Sequence, residues 1–576
     1  SNLYFAFQAL DPEPGLIKAA MADRDAIRRD DWVAINLDTF GDQQSLYAFY
    51  VNPLGIQMDT RFAGGQEDPH VDLVWFSEAV MDATGYTVEI QIPLKSIRFT
   101  PGDTVRMGVI FERFVSREQE AGTFPPLDPA QGESWLTQMM PLIYGGLDQE
   151  RVVEVLPAFT FRNLEVADQG RLVTEEDRGE VSLTAKVGVT PDLIFDGTYN
   201  PDFSQVEADA GQVDVNLRYQ LYFPEKRAFF REGGEHFAVG GTGSSELDPV
   251  NSIVYTRTIV DPIAGGKLAG KVGARDFLAS LYAVDDLSPA PGSGDPEYAH
   301  VPIFGYKRSL NNDSYLGAIY AGREVRDQYN RVGGMDGLLR LGVASTLGYH
   351  AILSDTKDGT DTDLGSGRAL GLHFRRSTRD LDLSLVGKDI SEDFRAETGF
   401  VWRTGVLQLS GRVRPKFYPG SDFLRRLDLD FFSGQTRDRP SGSWETFNQA
   451  AAHFFILGKA NLSAAYSYAT EIYRDQEFDT GGFSVQGSAQ FTNQFFASLS
   501  YRRHDAIFYS QDPFQGMGSR TSATVSYQPS DKVRTDLRYT HVDFIRDSDG
   551  DEVYDYPIYW GRATYQLNRY LFFRGI

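Results

Sequence analysis

Tight turns at nearly regular spacing run through this chain from about Gly188 to its last residue. They recur roughly every 37 residues, which is room for two strands, one tight turn and one longer connection. Outer-membrane barrels join their strands by short turns at one end and by long loops at the other, whereas soluble β proteins have no reason to do so. The spacing therefore predicts a transmembrane β-barrel. The tight turns fall at 273–276, 310–313, 377–380, 419–422, 492–494 and 529–531, with predicted long polar loops at 354–368, 433–448 and 546–555.

The composition is compatible with membrane strands and not with membrane helices. Hydrophobic residues make up 41% of the chain, the mean hydropathy is -0.34, and no run of about 18 apolar residues is present. The aromatic content of 13% fits the aromatic girdles of a membrane barrel. The net charge of -24 argues against nucleic acid as a partner, because phosphates attract basic patches. Cysteine is absent, which excludes disulfides and thiolate metal sites.

Strict alternation of apolar and polar residues marks many strands of the second region. In 483–491 one face carries Phe, Val, Gly, Ala and Phe, while the other carries only Ser and Gln. The same period appears in 427–431, 462–468 and 533–539. This thin apolar face is typical of a lipid-facing band around a polar lumen. About ten tight turns predict a barrel of about 20 or more strands over residues 151–576.

Residues 1–150 follow a different pattern, with short strands at irregular spacing. Trp32–Asp38, Ser45–Val51 and Tyr86–Ile92 alternate at period two and are separated by Pro- and Gly-containing turns. This organisation predicts a β-sandwich, and so an all-β protein of two units. The strand-like runs at Leu3–Phe7 and Tyr570–Phe573 lead us to expect a signal peptide, an early strand and final strands outside this chain.

Residues 200–240 break the strand pattern by crowding opposite charges and aromatic residues together. A buried, hydrogen-bonded charge network requires such a mixture, so we predict a lumenal plug. A long surface loop is the alternative. The predicted network consists of Asp202, Glu207, Asp209, Arg218, Glu225, Lys226, Arg227, Arg231 and Glu232.

Two blocks of this segment, Asn200–Asp209 and Tyr222–Phe230 with Glu232 and Gly233, resemble the signature of the DUF5916 family. The first 150 residues resemble a family 9 carbohydrate-binding-module-like domain. The resemblance implies a sugar-binding-like domain joined to an outer-membrane barrel, and it implies no established activity. The residues that carry the N-terminal resemblance are Asp31, 37–40, Asp42, Tyr47, Phe49, 52–55, Asp59, Trp75, 89–93, Ser96 and 98–99.

Motifs for catalysis are missing from the sequence. It has no His-Glu-x-x-His zinc motif, no phosphate-binding glycine loop and no Gly-x-Ser-x-Gly elbow. Its eight histidines are scattered, with no two at metal-ligand spacing. Carboxylate pairs such as Asp30 and Asp31 could serve a glycosidase, although a chain this acidic contains such pairs by chance. We therefore predict no enzyme, with a surface glycoside hydrolase kept as an alternative.

Two kinds of ligand site are predicted from side-chain chemistry. Trp32, Trp75 and Trp135 are candidate platforms for sugar rings, and the alternative is that each belongs to the core of the sandwich. Asp547, Asp549 and Asp551 resemble the opening of a calcium loop, so calcium is the one candidate cofactor. Glu552 and Ile558 replace the Gly and Glu that such a loop requires, and an acidic external loop is the alternative.

Together these patterns predict an outer-membrane barrel that binds and helps to pass or anchor a glycan or another cargo. The sandwich domain is expected on the periplasmic side. Expected partners are outer-membrane lipid, a glycan, and other outer-membrane or periplasmic proteins. The alternative is a structural subunit of a larger outer-membrane complex.

Overall fold

The computed structural model describes residues 1–576 except 64–65, 70, 132–134, 149–152, 169–170, 191, 202–215, 232, 243–247, 288–296, 311–312, 359–362 and 457–459. Nearly all regular structure is β, as predicted, and the one α-helical turn is α1 (Ala228–Arg231) among the residues described. In that part of the chain, we find no helix of the length and apolarity needed to span a lipid bilayer.

The first unit is a β-sandwich, which confirms the prediction. A three-stranded sheet in the order β1-β7-β6 faces a larger sheet in the order β10-β8-β2-β3-β4-β5, with β9 beside β8. Alternate residues of β7 (Tyr86, Val88, Ile90 and Ile92) are buried between the sheets. The strands are β1 (Asn2–Leu10), β2 (Trp32–Asp38), β3 (Ser45–Val51), β4 (Gln57–Ala63), β5 (Gln66–Asp68), β6 (Phe76–Asp82), β7 (Gly85–Pro93), β8 (Gly102–Val115), β9 (Glu120–Phe124) and β10 (Met140–Leu147).

The second unit is one antiparallel sheet of 22 strands, each paired with its neighbours in the sequence. Its first half contains β11 (Val153–Asp168), β12 (Arg171–Gly188), β13 (Leu193–Tyr199), β15 (Pro262–Val272), β16 (Asp276–Asp286), β17 (Tyr298–Ser309), β18 (Tyr315–Val325), β19 (Gln328–Arg340), β20 (Ser345–Lys357), β21 (Asp363–Ser377) and β22 (Leu381–Ile390). Its second half contains β24 (Val406–Phe417), β25 (Leu424–Asp438), β26 (Trp444–Ile456), β27 (Ala460–Tyr473), β28 (Gln476–Asp479), β29 (Gly482–Thr492), β30 (Phe495–Phe508), β31 (Phe514–Ser530), β32 (Val533–Arg546), β33 (Glu552–Asn568) and β34 (Leu571–Gly575). β14 (Val250–Ser252) and β23 (Phe400–Val401) pair only with each other.

The large sheet curves around residues 216–231, 233–242 and 248–259, which we call the lumenal segment. Asn216 bonds the backbone of Ile507 on β30, and Arg218 pairs with Glu471 on β27. Farther along the segment, the amide of Gly240 donates to Asp336 on β19. A stretch this short reaches strands so distant in sheet order only if the sheet wraps around it. The prediction of a barrel of about 20 or more strands is therefore confirmed.

The prediction of long polar loops at 354–368, 433–448 and 546–555 is wrong in part, because strands occupy much of these stretches. β20, β25 and β32 continue into these stretches, and their partners begin again at Asp363, Trp444 and Glu552. Strands persist there because their polar side chains bond across the pair. Ser433 donates to Asn448 at 2.8 Å and Gln435 donates to Thr446 at 2.7 Å. Polarity alone was therefore a poor signal for loops in this chain.

Candidate functional site in the barrel lumen

The outward face of the large sheet is an exposed apolar band. Leucines on five of its strands are each at least half exposed, namely Leu353, Leu385, Leu409, Leu499 and Leu537. Tyr466 and Tyr559, also outward, are 66% and 77% exposed. Toward the end of the barrel opposite the tight turns, the outward face carries charged residues. Examples are the pairs Arg331–Glu324 at 2.7 Å and His541–Asp555 at 2.8 Å. Apolar strands edged by aromatic and charged residues are the pattern of strands that face lipid.

The inward face of β15–β22 is packed by the lumenal segment. The segment contributes apolar side chains to a core that is completed by inward residues of the strands. Gly305 on β17 lies so close to the carbonyl of His236 that a Cβ there would stand 3.1 Å from it. This half of the lumen is therefore filled by protein. The buried residues of this core include Phe230, Phe237, Val239, Ile253 and Ile259 of the segment and Leu281, Ile303, Val332 and Ile352 of the strands.

A second inward stretch, the connection 391–405 between β22 and β24, fastens the lumenal segment. Trp402 donates its indole N–H to the carbonyl of Asp248 at 2.5 Å, and its ring lies edge-on to Tyr219 at 4.8 Å between centroids. The Asp248 carboxylate pairs with Lys388 of β22, and both side chains are 1% exposed. The short pairing of β14 with β23 joins the same two stretches.

Several of the charges predicted as a plug network are paired in the part of the chain that the structure describes. Arg218 contacts Glu471 at 2.5 Å, and Tyr509 donates to the same carboxylate at 3.0 Å. Glu225 pairs with Arg227 at 2.8 Å, while Arg231 pairs with Asp68 of the sandwich. For Lys226 the structure shows its backbone N–H donating to Glu225 at 3.1 Å. Asp202, Glu207, Asp209 and Glu232 lie outside the described residues.

Glu225 shows how this environment retains charge inside the barrel. Burial by itself would raise the pKa of this carboxyl. The hydrogen bonds and charge of Arg227, together with the Thr256 hydroxyl at 2.6 Å, outweigh burial and hold the pKa below its ordinary value. Arg227 also donates to the carbonyls of Thr256 and Ile259, each at 2.7 Å. The pair therefore holds the backbone of the segment in a fixed turn.

Several lumenal ion pairs were missed by reading the sequence. Arg403 bonds Glu445 at 2.5 Å and Asp438 at 3.1 Å, and Lys267 pairs with Asp196 at 3.3 Å. These residues stand at inward positions of otherwise alternating strands or in the connection 391–405. In the sequence, these residues appear only as charged residues on the polar face of a strand. Many solvent-exposed charges have the same position. Only the pairing of distant strands identifies their partners.

Among the described residues, the lumen along β24–β33 is less completely filled. A cleft of about 140 Å³ lies there, bordered by Arg218, Trp402, Arg403, Glu445 and Glu471 among others. Farther round the wall, Arg502, Arg520 and Arg538 are exposed although their strand positions face inward. Arginine side chains that are exposed on an inward face require open space in front of them. The barrel is therefore half filled and half open among the residues described.

The sandwich contacts the barrel at its tight-turn end. Its backbone at Met21 donates to the carbonyl of Asp531 at 2.7 Å, and Asn493 donates to the carbonyl of Leu16 at 2.9 Å. Among the described residues, five ion pairs join the two units, and in each of these five the barrel side supplies the cation. These pairs are Arg231–Asp68, Lys271–Asp42, Arg425–Glu120, Arg569–Glu78 and Arg574–Asp23.

This one-sided charge pattern makes the docking of the sandwich sensitive to salt. At about 1 M salt the Debye length falls to about 3 Å, which screens the exposed pairs. With Met21→Cys and Asp531→Cys in this cysteine-free chain, we expect disulfide formation to slow several-fold between low and 1 M NaCl. The cysteine pair at Ala6 and Glu89, which face each other inside the sandwich, controls for thiol chemistry. Equal salt dependence of the two pairs would contradict electrostatic docking.

The three predicted sugar platforms differ in exposure. Trp75 is 3% exposed and packs edge-on against Phe49, and Trp32 is 9% exposed and stacks on Phe114. These two indoles belong to the sandwich core, which was the alternative considered for them, because neighbouring side chains cover the faces that a sugar ring needs. Trp135 is 38% exposed.

The predicted calcium loop lies between β32 and β33. Arg546 contacts Asp549 at 2.9 Å, and Asp549 also accepts the amide of Asp551 at 3.1 Å. Asp547 donates its backbone N–H to the carbonyl of Gln515 on β31 at 3.2 Å. No group of three metal-ligating side chains occurs in the part of the chain that the structure describes, Asp547 included. A calcium ion at this loop stays a prediction.

A family model described as a domain of unknown function, DUF5916, matches residues 165–242. This stretch runs from the end of β11 into the lumenal segment, and it confirms the resemblance of the 200–240 region. The family 9 module resemblance of the sandwich stays a prediction. No curated protein matches the chain.

Solved structures of outer-membrane proteins show a partial likeness. The outer membrane protein OprD from Pseudomonas aeruginosa is 12% identical with a TM-score of 0.26, over 50% of this chain and 94% of its own. A BenF-like porin from Pseudomonas fluorescens is 10% identical with a TM-score of 0.30, over 52% and 91%. Pseudomonas aeruginosa OpdK, solved with vanillate, is 11% identical with a TM-score of 0.28, over 53% and 95%. At such low TM-scores, the barrel of this chain is established by its own strand order.

Proposed function

We propose that this protein is a non-enzymatic outer-membrane barrel that passes a solute through the open half of its lumen. The observation that carries the proposal is the contrast between the two faces of the large sheet. Half-exposed leucines face outward, whereas exposed arginines and Ser or Gln side chains face inward along β24–β33. An outward apolar face suits lipid, and an inward polar face with open space suits water and polar solutes.

The sandwich then lies on the periplasmic side. It is docked at the end where the connections are tightest, and short turns are the periplasmic ends of bacterial barrels. In that position it covers the mouth through which a solute leaves the lumen. Glycan binding by the sandwich is kept as a further element of the proposal, and it rests on Trp135, the exposed member of the three indoles.

Reconstitution of the full chain in a planar lipid bilayer tests this function directly. We expect stepwise ion conductance, since the open half of the lumen is lined by hydrated side chains. Conductance should rise when the docked sandwich is released by high salt, after correction for the conductivity of the solution. Membranes that contain folded protein but conduct no better than protein-free membranes would refute passage and leave a scaffolding role.

A further inference from the structure

The cleft beside Trp402 lies where the packed part of the lumen meets the wall formed by β24–β27. The lumenal segment supplies Arg218 and Tyr219 to its lining, and the connection 391–405 supplies Trp402 and Arg403. Most of the remaining lining that the structure describes comes from the four strands. We call this space of about 140 Å³ the lumenal cleft.

Hydrogen-bonding side chains form one row along the wall of the lumenal cleft. Gln408 on β24 lies opposite Thr436 on β25, which lies opposite Glu445 on β26. Residues directly opposite in an antiparallel pair project from the same face, so these three side chains share one face of the sheet. That face is the lumenal one, because Glu445 is bound by Arg403 of the connection 391–405. The row therefore combines an amide, a hydroxyl and a carboxylate.

An aromatic floor lies beside this row. Phe447 on β26 lies between Gly434 on β25 and Ala469 on β27, and all three line the cleft. Side chains this small leave space on both sides of the phenyl ring. Trp402 and Tyr219 add aromatic surface from the other part of the lining. The lumenal cleft thus places aromatic rings next to a row of hydrogen-bonding groups.

The charged residues that line the lumenal cleft, among those described, are paired with each other. Arg403 contacts Glu445 at 2.5 Å. Arg218 contacts Glu471 at 2.5 Å, and Asp438, just outside the described lining, contacts Arg403 at 3.1 Å. A charged solute would give up its hydration here and meet charges that already have partners. A neutral hydroxyl loses less hydration, and a carboxylate in an ion pair keeps lone pairs that accept further hydrogen bonds.

We infer that the lumenal cleft binds one ring of an uncharged polyhydroxylated solute, that is, a single sugar unit. This inference rests on the proposed passage function and names its substrate class. The C–H face of a sugar ring packs on an aromatic ring such as that of Phe447, while the sugar hydroxyls donate and accept hydrogen bonds along the row. The volume of about 140 Å³ is smaller than the about 300–1,000 Å³ of pockets for drug-sized ligands, so the cleft takes one ring at a time.

The first test is a titration of the detergent-purified full chain with glucose, glucuronate and glucosamine, followed by saturation-transfer NMR, which detects weak binding. The three sugars share one ring and differ in charge, being neutral, anionic and cationic respectively. We expect glucose to bind severalfold more tightly than either charged sugar, because the charges at the cleft are paired. Equal affinities for the three sugars, or tighter binding of a charged one, would overturn the inference.

Variants of the cleft show where the sugar binds. Thr436→Val should weaken glucose binding by roughly twofold to tenfold, the range expected for the loss of one neutral hydrogen bond. Phe447→Ala should weaken it further, since the aromatic floor is removed. Phe431→Ala is the matched control: Phe431 lies on β25, an odd number of residues from Thr436, so it faces outward, where it is 51% exposed. Equal losses in Phe447→Ala and Phe431→Ala, or a loss confined to Trp135→Ala of the sandwich, would contradict binding in the cleft.

Failure of passage and failure of sugar binding are distinguishable. In a planar bilayer, glucose should lower the ion current of the unaltered protein after correction for the viscosity of the solution, and Phe447→Ala should remove most of that effect. A protein that conducts but neither binds glucose nor loses current to it keeps the passage function and overturns the inference. If the protein conducts nothing, the passage function fails and the NMR titration alone decides the inference.

Discussion

Replacing Leu499 by arginine is expected to prevent most of the protein from folding into membranes, whereas Ser500→Arg should fold nearly normally. Leu499 lies near the middle of β30, faces outward and is 57% exposed. A charged side chain on the lipid face near the bilayer midplane costs about 2–4 kcal/mol. Ser500 is the next residue and faces the lumen, where a guanidinium remains in water. The comparison therefore isolates the orientation of one strand.

Folding into liposomes, followed by the mobility of unheated samples in gel electrophoresis, measures this difference. The folded barrel should migrate apart from the heated chain. The folded fraction should fall severalfold for Leu499→Arg and little for Ser500→Arg. Leu499→Ala serves as the control for loss of the side chain alone. If the two arginine variants fold equally well, β30 does not face lipid, and the assignment of the outward band is wrong.

The second large effect is expected from the buried pair of Lys388 and Asp248. Both side chains are 1% exposed, so Lys388→Met removes the cation that pairs with a buried carboxylate inside the packed half of the lumen. Removing one member of a buried ion pair costs about 3–5 kcal/mol. The cost should appear as release of the lumenal segment, because Asp248 also accepts the indole N–H of Trp402 through its carbonyl.

Two readouts separate local release from global unfolding. Proteolysis near Asp248 and single-channel conductance should both increase in Lys388→Met, while the sheet itself remains folded. The double variant Lys388→Met with Asp248→Asn should recover most of the loss, since no unpaired charge is left. If the double variant is as damaged as the single one, packing rather than charge holds the segment. Unchanged conductance in a folded Lys388→Met protein would show that the segment does not restrict the lumen.

Alternation of residue type gave a reliable guide to the faces of individual strands. The apolar positions in 462–468, 483–491 and 533–539 face outward as expected, because the period of two is a local property of an extended backbone. The same pattern located the sandwich strand Tyr86–Ile92. The polar stretch 433–448 was wrongly predicted to be a loop. Its polar residues form hydrogen bonds across a hairpin, so they stabilise strands there.

The contacts between side chains in the lumen and in the sandwich could be identified only from the tertiary structure. Arg218 and Glu471 are separated by 253 residues, and only the curvature of the sheet brings them together. The burial of Trp75 depends on Phe49 of the opposite sheet, which no local pattern reports.

The sequence by itself thus determined the class of fold, the two units and the face of each strand, because these follow from short-range periodicity. The tertiary structure alone decided where the lumenal segment packs and which of the described charges pair. Those properties depend on contacts between distant strands, and a period of two carries no information about which strand lies across the lumen.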